Sequence, residues 1–529
     1  MKYKWLKWTR VVAALVFFIL ISLAFLDFKS LFSSSDINTI LWLQFTPSLI
    51  KFILTLSLTA VGFFAVMLLT SLFGRIYCSA VCPLGILQDF FSRLGKIFKK
   101  KKKYRYTRTY RILQNSILAV TIITAVFLSV LLVNVLDPYS IFGKIATGLF
   151  RPAGIFFNNI AASVLEKMDI YSFHLKDYHP ANIAALAFPV AALGIVFWLS
   201  FRHGRLYCNT ICPVGTLLGW ISRVSLFKVK INSSGCTQCG KCAFECKSGC
   251  INIKNLSIDH SRCVACFNCL TVCNDNAISF SPVVQRIDKT GTDAERSEGR
   301  KSFLLGITAG VFGISTLRLK KSFAEILEGE GPINKKPTTV PVVKTSTVSP
   351  PGSLSLGHMN SSCTACQLCV SQCPTRVLQP SVRQYGWTGY MQPFMDYDTN
   401  YCTYECVTCA EVCPTGAILP LTIEDKKTLQ IGKVFFIKEN CVVYTENTAC
   451  GSCSEHCPTQ AVKMVPYIGA LTIPETNNEI CVGCGACEYA CPVVPYKAIY
   501  VDGNPVHLTA KKPVQEKLEE PSMQEEFPF

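Results

Sequence analysis

A chain of 529 residues, half of them apolar, with a formal charge of +17 and 29 cysteines, is too long for one small core and too apolar for an ordinary soluble protein. The cysteines recur in tight C-x2-C-x2-C-x3-C groups, which excludes an ordinary disulfide framework and points to bound metal, iron–sulfur clusters foremost. Residues 1–359 hold 41 basic and 17 acidic residues, net +24, and residues 360–529 are net −7. The basic residues flank apolar runs, so the positive-inside rule accounts for them and no nucleic acid is required.

Four apolar stretches come first: Val11–Leu26, Phe52–Phe73, Ile112–Leu136 and Ile183–Phe201. Each reaches or approaches the ~20 residues of a membrane-crossing helix. They predict an α-helical membrane domain over residues 1–230. Lys2, Lys4, Lys7 and Arg10 precede the first run, and residues 74–111 carry 11 Lys and Arg against the single acid Asp89. Arg202, Arg205 and Arg223 follow the fourth run. These three regions are expected on the cytoplasmic face, and residues 137–180, with four basic and four acidic residues, on the other.

Residues 231–282 write the bacterial ferredoxin pattern twice: Cys236, Cys239, Cys242, Cys246 and Cys263, Cys266, Cys269, Cys273. In that pattern three thiolates of one group grip a 4Fe–4S cubane and the fourth crosses to the other. Cys236, Cys239 and Cys242 are thus expected with Cys273, and Cys263, Cys266 and Cys269 with Cys246. Lys247 and Asn274 stand where a proline usually follows, and Cys250 reads as a structural thiol. Residues 283–325 form a connector whose run at about 303–317 follows Arg300-Lys301, like a twin-arginine export signal, and predicts a fifth span. Residues 326–357, rich in Pro, Thr and Ser, predict a flexible linker.

Residues 358–503 hold four more groups. They are Cys363, Cys366, Cys369, Cys373; Cys402, Cys406, Cys409, Cys413; Cys441, Cys450, Cys453, Cys457; and Cys481, Cys484, Cys487, Cys491. Sixteen thiolates suit four 4Fe–4S clusters, which makes six with the first domain. So many one-electron centres with nothing else between them form a wire. Residues 504–529 predict a polar tail.

Each half of the membrane part ends in one phrase, GRIYCSAVCPLG from Gly74 and GRLYCNTICPVG from Gly204, followed by a short helix ending in Ser92-Arg93 or Ser222-Arg223. The repeat predicts a duplicated two-span unit related by an axis along the membrane normal, which gathers Cys78, Cys82, Cys208 and Cys212 at the cytoplasmic surface. These hooks either close one further iron or iron–sulfur centre, or hold structural thiols. The fold class is therefore multidomain: four spans and a fifth, with two ferredoxin-like α+β iron–sulfur domains.

With these motifs in view, residues 1–280 resemble the NapH family of membrane quinol dehydrogenase subunits. Residues 299–500 resemble the exported four-cluster NapG/MauM family, including the x3 and x8 first intervals of the second and third groups. The resemblance implies quinol as substrate and the quinone pool as partner. It also implies delivery to a periplasmic reductase or cytochrome, such as nitrate reductase, across a bacterial cytoplasmic membrane. The likeness of the last domain to four-cluster subunits of molybdopterin oxidoreductases implies exchange of fourth cysteines between groups one and four and between groups two and three. Two other readings stand beside this one: an outward feeder taking electrons from cytoplasmic ferredoxin, and a metal-reducing assembly factor. His174, His179 and His203 are candidates for proton handling. No haem-attachment motif or dinucleotide fingerprint occurs.

Overall fold

The computed structural model describes residues 3–26, 32–57, 60–98, 104, 106, 110–127, 129–169, 174–176, 183–282 and 339–512. His179, the connector and the expected fifth span lie outside them. The chain folds as two compact units: Met1–Lys335 with Ser349–Asp396 and Val407–Pro420, and Lys336–Val348 with Tyr397–Cys406 and Leu421–Phe529.

In the first unit the helices before residue 227 fall into two stretches, each closed by a cysteine hook and a short helix. The first half has α1 (Lys4–Leu26), a bent pair α2 (Ser34–Leu41) and α3 (Phe45–Thr55), and an apolar helix α4 (Gly62–Phe73). A hook carrying α5 (Tyr77–Ala80) and an amphipathic α6 (Pro83–Phe98) complete it. The second half has α7 (Arg111–Phe127), then α8 (Leu131–Leu136) and α9 (Pro138–Ile145), which continues through a π turn (Ala146–Phe150) into α10 (Arg151–Glu166). After these come α11 (Ile183–His203), a hook carrying α12 (Leu206–Thr210), and α13 (Pro213–Ser222). Local chemistry sets the breaks. Ser33 and Asp36 form a capping box on α2. Asp137 caps α9 with Pro138 at its first position.

Among the described residues only α1 and α11 are long and apolar enough to cross a membrane, with α2 and α3 a third candidate bent by 108°. The expected spans Phe52–Phe73 and Ile112–Leu136 are broken. Leu56 turns left-handed (φ 48°) after α3, and the 12-residue α4 reaches only about 18 Å against a hydrocarbon core of about 30 Å. Hydropathy counts apolar residues along the chain but does not sense a reversal of direction. In α1 Leu15, Val16 and Ile19 are exposed while Ile21, Ala24 and Phe25 are fully buried. Exposed Trp5 and Trp8 sit near its start, where interfacial aromatics belong.

The ferredoxin-like part pairs β1 (Phe227–Ile231) with β4 (Ile278–Pro282) antiparallel, Phe227 opposite Pro282 and Ile231 opposite Ile278. Between them lie α14 (Lys241–Glu245), the small pair β2 (Ile251–Asn252) and β3 (Ser257–Ile258), and α15 (Asn268–Val272). Its core of Val229, Ala243, Ile251, Phe267 and Leu270 also takes up Tyr3 and Leu6 from the start of α1. At the other end of α1 the Ala24 carbonyl accepts from Gln372 Nε2 (2.6 Å). That glutamine closes α17 (Leu368–Gln372), which follows α16 (Leu356–Ser362) and precedes the pair β5 (Leu378–Pro380) and β6 (Pro393–Met395).

The second unit pairs β7 (Leu429–Phe436) with β10 (Ile499–Thr509), and β8 (Val462–Pro466) with β9 (Thr472–Thr476). Two expectations change here. The proposed linker is folded from residue 339. Val340 N–H donates to Asn440 (2.6 Å), Ser346 N–H to Asp502 (2.9 Å), and in the first unit Ser349 and Ser353 are fully buried. The strand β10 runs past 503 to Thr509, so the expected tail begins later. Polar Ser/Thr/Pro composition looks like a linker, but here these residues supply backbone bonds to side chains far along the chain.

Candidate metal centres

All 29 cysteines are free. In four triplets the residues on either side of the second cysteine's N-terminal peptide and just after it are left-handed: Gln238 and Gly240, Ala265 and Phe267, Ala365 and Gln367, Gly483 and Gly485, with φ between 47° and 79°. A left-handed L-residue costs roughly 1–2 kcal/mol, so four such pairs at matched positions, five of their eight residues not glycine, mark a common demand. Such turns point successive N–H groups into a concave nest that suits an anion, as at many Fe–S sites. A second regularity follows the fourth cysteine. The residue three places on is left-handed in five groups: Gly249, Asn276, Arg376, Gly416 and Gln460. In three of these, Thr375, Thr415 and Thr459 bring a hydroxyl 3.7 Å from the sulfur of Cys373, Cys413 and Cys457.

The grouping of thiols follows the ferredoxin rule in the first domain. A cavity of about 370 Å³ is lined by Cys263, Cys266 and Cys269 together with Cys246. The Cys242 thiol, pushed up to about 11 by burial, also feels Cys236 and Cys273. In the second unit a cavity of about 350 Å³ is lined by Cys441, Cys450 and Cys453 together with Cys491. Cys457 acts in turn on Cys481, Cys484 and Cys487. In the first unit Cys413 acts on Cys363, Cys366 and Cys369. Cys491 of the fourth group thus shares a cavity with the third group, unlike the expected exchange of one with four and two with three.

Cys250 lies at the same cavity as Cys246, with the two sulfurs 3.4 Å apart. A hydrogen bond from Cys250 holds Cys246 down to about 6 despite burial. Lys247, in the usual proline position, has a definite task. Its ammonium lies 3.3 Å from Asp89 of α6, which also takes Arg205 Nε (2.8 Å) and Arg10 (3.3 Å). Burial opposes ionisation of Asp89, but Arg205, Lys247 and Arg10 outweigh it and hold the carboxyl well below the usual range. Sequence reasoning noted Asp89 as the one acid among eleven bases without giving it this role.

At the hooks the arginines cross over. Arg75 donates to the Cys208 carbonyl (2.9 Å), and Arg205 to the Cys78 carbonyl (2.6 Å); both are fully buried. The glycine of each C-P-x-G is required by the same packing, since a Cβ on Gly85 or Gly215 would lie 2.2 or 2.3 Å from the carbonyl oxygen of Cys78 or Cys208. Arg75 also donates to Ser261 (3.0 Å), which ties the first hook to the ferredoxin-like part. The hook tyrosines pin the breaks of their own halves: Phe45 N–H donates to Tyr77 Oη (3.3 Å), and Tyr207 donates to the Leu136 carbonyl (2.7 Å). The two breaks meet where Thr46 donates to Asp137 (2.5 Å). Cys78, Cys82, Cys208 and Cys212 are all buried, and Gln88 Nε2 donates to Cys208 Sγ (3.2 Å). Burial, then Cys208 and Cys78, push the Cys82 thiol well up. Among the described residues no three His, Cys, Asp or Glu side chains converge on a single-ion site. A tetrahedral ion needs sulfurs about 3.8 Å apart at a Zn–S distance of about 2.3 Å, whereas a cubane spreads them. His174 is exposed, its carbonyl accepting from Asn158, and His203 ends α11.

Comparison with known proteins agrees with these nests. A 4Fe-4S binding domain matches residues 56–104 and again 185–232, and 4Fe-4S dicluster domains match 362–418 and 448–494. The ferredoxin-type protein NapF of Escherichia coli (strain K12) is 30% identical over 154 residues, which cover 29% of this chain and 85% of that protein. The chain belongs to the NapF family of ferredoxin-type proteins. It is thus an iron–sulfur electron-transfer protein with candidate membrane helices. The methylamine utilization ferredoxin-type protein MauM of Methylophilus methylotrophus is 29% identical over 213 residues, 39% of this chain and 88% of MauM. The ferredoxin-type protein NapG of Escherichia coli (strain K12) is 28% identical over 151 residues, 27% of this chain and 64% of NapG. No solved structure matches. One dicluster match spans the first two C-terminal groups, and the other the third and fourth except Cys441.

Proposed function

We propose that this chain is a membrane quinol dehydrogenase that moves electrons through six 4Fe–4S clusters to a redox partner outside the cytoplasm, as a fusion of NapH-like and NapG-like parts. The observation that carries the reading is α1: its start packs into the ferredoxin-like core through Tyr3 and Leu6, and its end accepts from Gln372 of the first C-terminal group. At about 1.5 Å per residue its 23 residues span about 34 Å, so cysteine groups stand at both ends of one membrane-length helix. With the basic loops inside, the ferredoxin-like part is cytoplasmic and the C-terminal part periplasmic.

In this reading a cluster, when bound, supplies a one-electron acceptor. Cys236, Cys239, Cys242 and Cys273 hold one, and Cys263, Cys266, Cys269 and Cys246 the next. Cys363, Cys366, Cys369 and Cys413 hold a third, and a fourth is counted from the second C-terminal group of the sequence. Cys441, Cys450, Cys453 and Cys491, then Cys481, Cys484, Cys487 and Cys457, complete the six. The parallel order of elements and the crossed arginines support a duplicated membrane unit. The double match to a 4Fe-4S binding domain over both hooks supports a seventh centre at Cys78, Cys82, Cys208 and Cys212. Asp137 connects it onward, since α9 runs from that residue to Gly143, whose Cα packs against the Cys366 carbonyl.

The test is anaerobic reduction of the full chain in nanodiscs by a quinol, followed by EPR and iron analysis, with the four hook cysteines intact or changed to serine. Reduction by quinol in the intact chain supports the reading, and loss of iron in the variant supports the further centre at the hooks. Reduction by reduced ferredoxin and none by quinol overturns it in favour of an outward feeder.

A further inference from the structure

We infer that the cleft between the π turn, α11 and the first C-terminal cysteine triplet is the site that receives the quinol ring. This rests on the quinol reading above and gives it a place that neither the motifs nor the relatives assign. The cleft and its open mouth together enclose about 650 Å³. Its membrane wall is apolar at Gly148 of the π turn, Ile155 of α10, and Leu186 and Pro189 of α11, with Thr147 and Arg151 as its polar members. The facing wall brings Gln367, Val370 and Arg376.

Three observations separate a binding site from a packing gap. Gln367 is 2% exposed, yet its amide nitrogen has no hydrogen-bond partner among the described residues. An unpaired buried donor costs about 1–3 kcal/mol, which a quinol oxygen accepting from it removes. Pro189 has no N–H for the Ala185 carbonyl one turn earlier, and both residues line the cleft, so the apolar wall carries an acceptor for a ring hydroxyl. The π turn beside them is the kind of helix distortion that gathers at functional sites.

Position decides the electron acceptor. Gln367 is the peptide neighbour of Cys366, and its carbonyl accepts from Thr147 of the π turn (3.4 Å). A ring against Gln367 is therefore one residue from a cluster thiolate. Outside the cleft α10 exposes Phe156 and Phe157, and α11 exposes Ile183 and Val190, which suits an isoprenoid tail in lipid. The hook region, by contrast, has a cleft of about 240 Å³ edged by Arg75, Asn209 and Arg223, too small and polar for such a ring. Oxidation breaks the two O–H bonds and leaves the quinone. Two protons go to water, and two electrons go one at a time to the oxidised 4Fe–4S cluster held by Cys366 and its partners.

The experiment irradiates the full chain in nanodiscs with an azido-quinone bearing an isoprenoid tail and maps the labelled peptides. Expected is label within 147–155, 185–189 or 367–379, removed by excess unmodified quinone. Leu186→Trp fills the cleft and cuts the label about tenfold, a loss of about 1.4 kcal/mol. Gln367→Leu removes the amide at nearly constant volume and cuts it about fivefold, as for one hydrogen bond. Both keep the dithionite-reduced EPR spectrum; should the tryptophan variant lose it, the leucine variant is read alone. Label on α6 or α13 instead, or label in the cleft that Gln367→Leu does not weaken, overturns the site while leaving quinol oxidation standing. Failure of quinol to reduce the wild-type clusters, with label absent, overturns both.

Discussion

Asp89→Asn removes one negative charge from the centre of three buried cations while keeping the side-chain shape. Arg205 is 0% exposed, Arg10 7% and Lys247 13%, with contacts of 2.8, 3.3 and 3.3 Å. At an effective dielectric of about 20 each contact is worth about 5 kcal/mol before desolvation. Desolvation of the four groups offsets most of that sum, but it does not relent when the acid leaves. The net cost of stranding a buried partner is about 3–5 kcal/mol. Thermal unfolding followed by size-exclusion in detergent should show a midpoint lowered on the order of 10 °C, at roughly 2–4 °C per kcal/mol. The pH dependence has a definite sign. The folded carboxyl titrates below its ordinary value, so its contribution is fully present above about pH 4 and is lost as pH falls through the folded value. The gap between wild type and variant should hold constant from pH 8 to 5 and close only below about 4. A gap under about 1 kcal/mol, or one that varies between pH 8 and 5, refutes the argument that a buried charge balance joins α1, α6, the second hook and the ferredoxin-like part.

Other outcomes follow from the same geometry. Changing Thr375, Thr415 or Thr459 to valine removes a hydroxyl beside a cluster thiolate; the potential of the affected centre should fall by about 40 mV, one hydrogen bond of about 1 kcal/mol, in an EPR-monitored redox titration. Lys247→Met takes a cation from beside Cys246 and should lower the potential of that centre by tens of millivolts, while costing less stability than Asp89→Asn because two cations still face the acid. Cys250→Ala should keep the full iron content, whereas Cys246→Ala should lose one cluster; equal loss from both would make Cys250 a ligand.

The cysteine triplets were legible because their spacing is the local geometry: a left-handed turn on each side of the middle thiol needs only neighbouring residues. The C-terminal exchange was not, because the spacing within a group carries no information about which group lies beside it. The second and third spans misled because Leu56, and the break between Phe127 and Leu131, interrupt an apolar run without making it less apolar. Lys247 read as a lost proline until Asp89, more than 150 residues earlier, was seen to occupy it. Residues 339–357 looked like solvent-exposed linker because small polar side chains are equally suited to bonding a distant Asn440 or Asp502.

The crossed arginines have a consequence for ancestry and assembly. Each half supplies the guanidinium that braces the other half's cysteine carbonyl, so neither half can complete its own hook. If a single ancestral gene encoded one half, its product must have worked as a homodimer in which every such bond formed between two chains. The covalent join then turned an encounter that depended on concentration into one that does not. It also released the two copies to differ, as they now do where Gln88 faces Cys208 and Leu218 stands at the matching place.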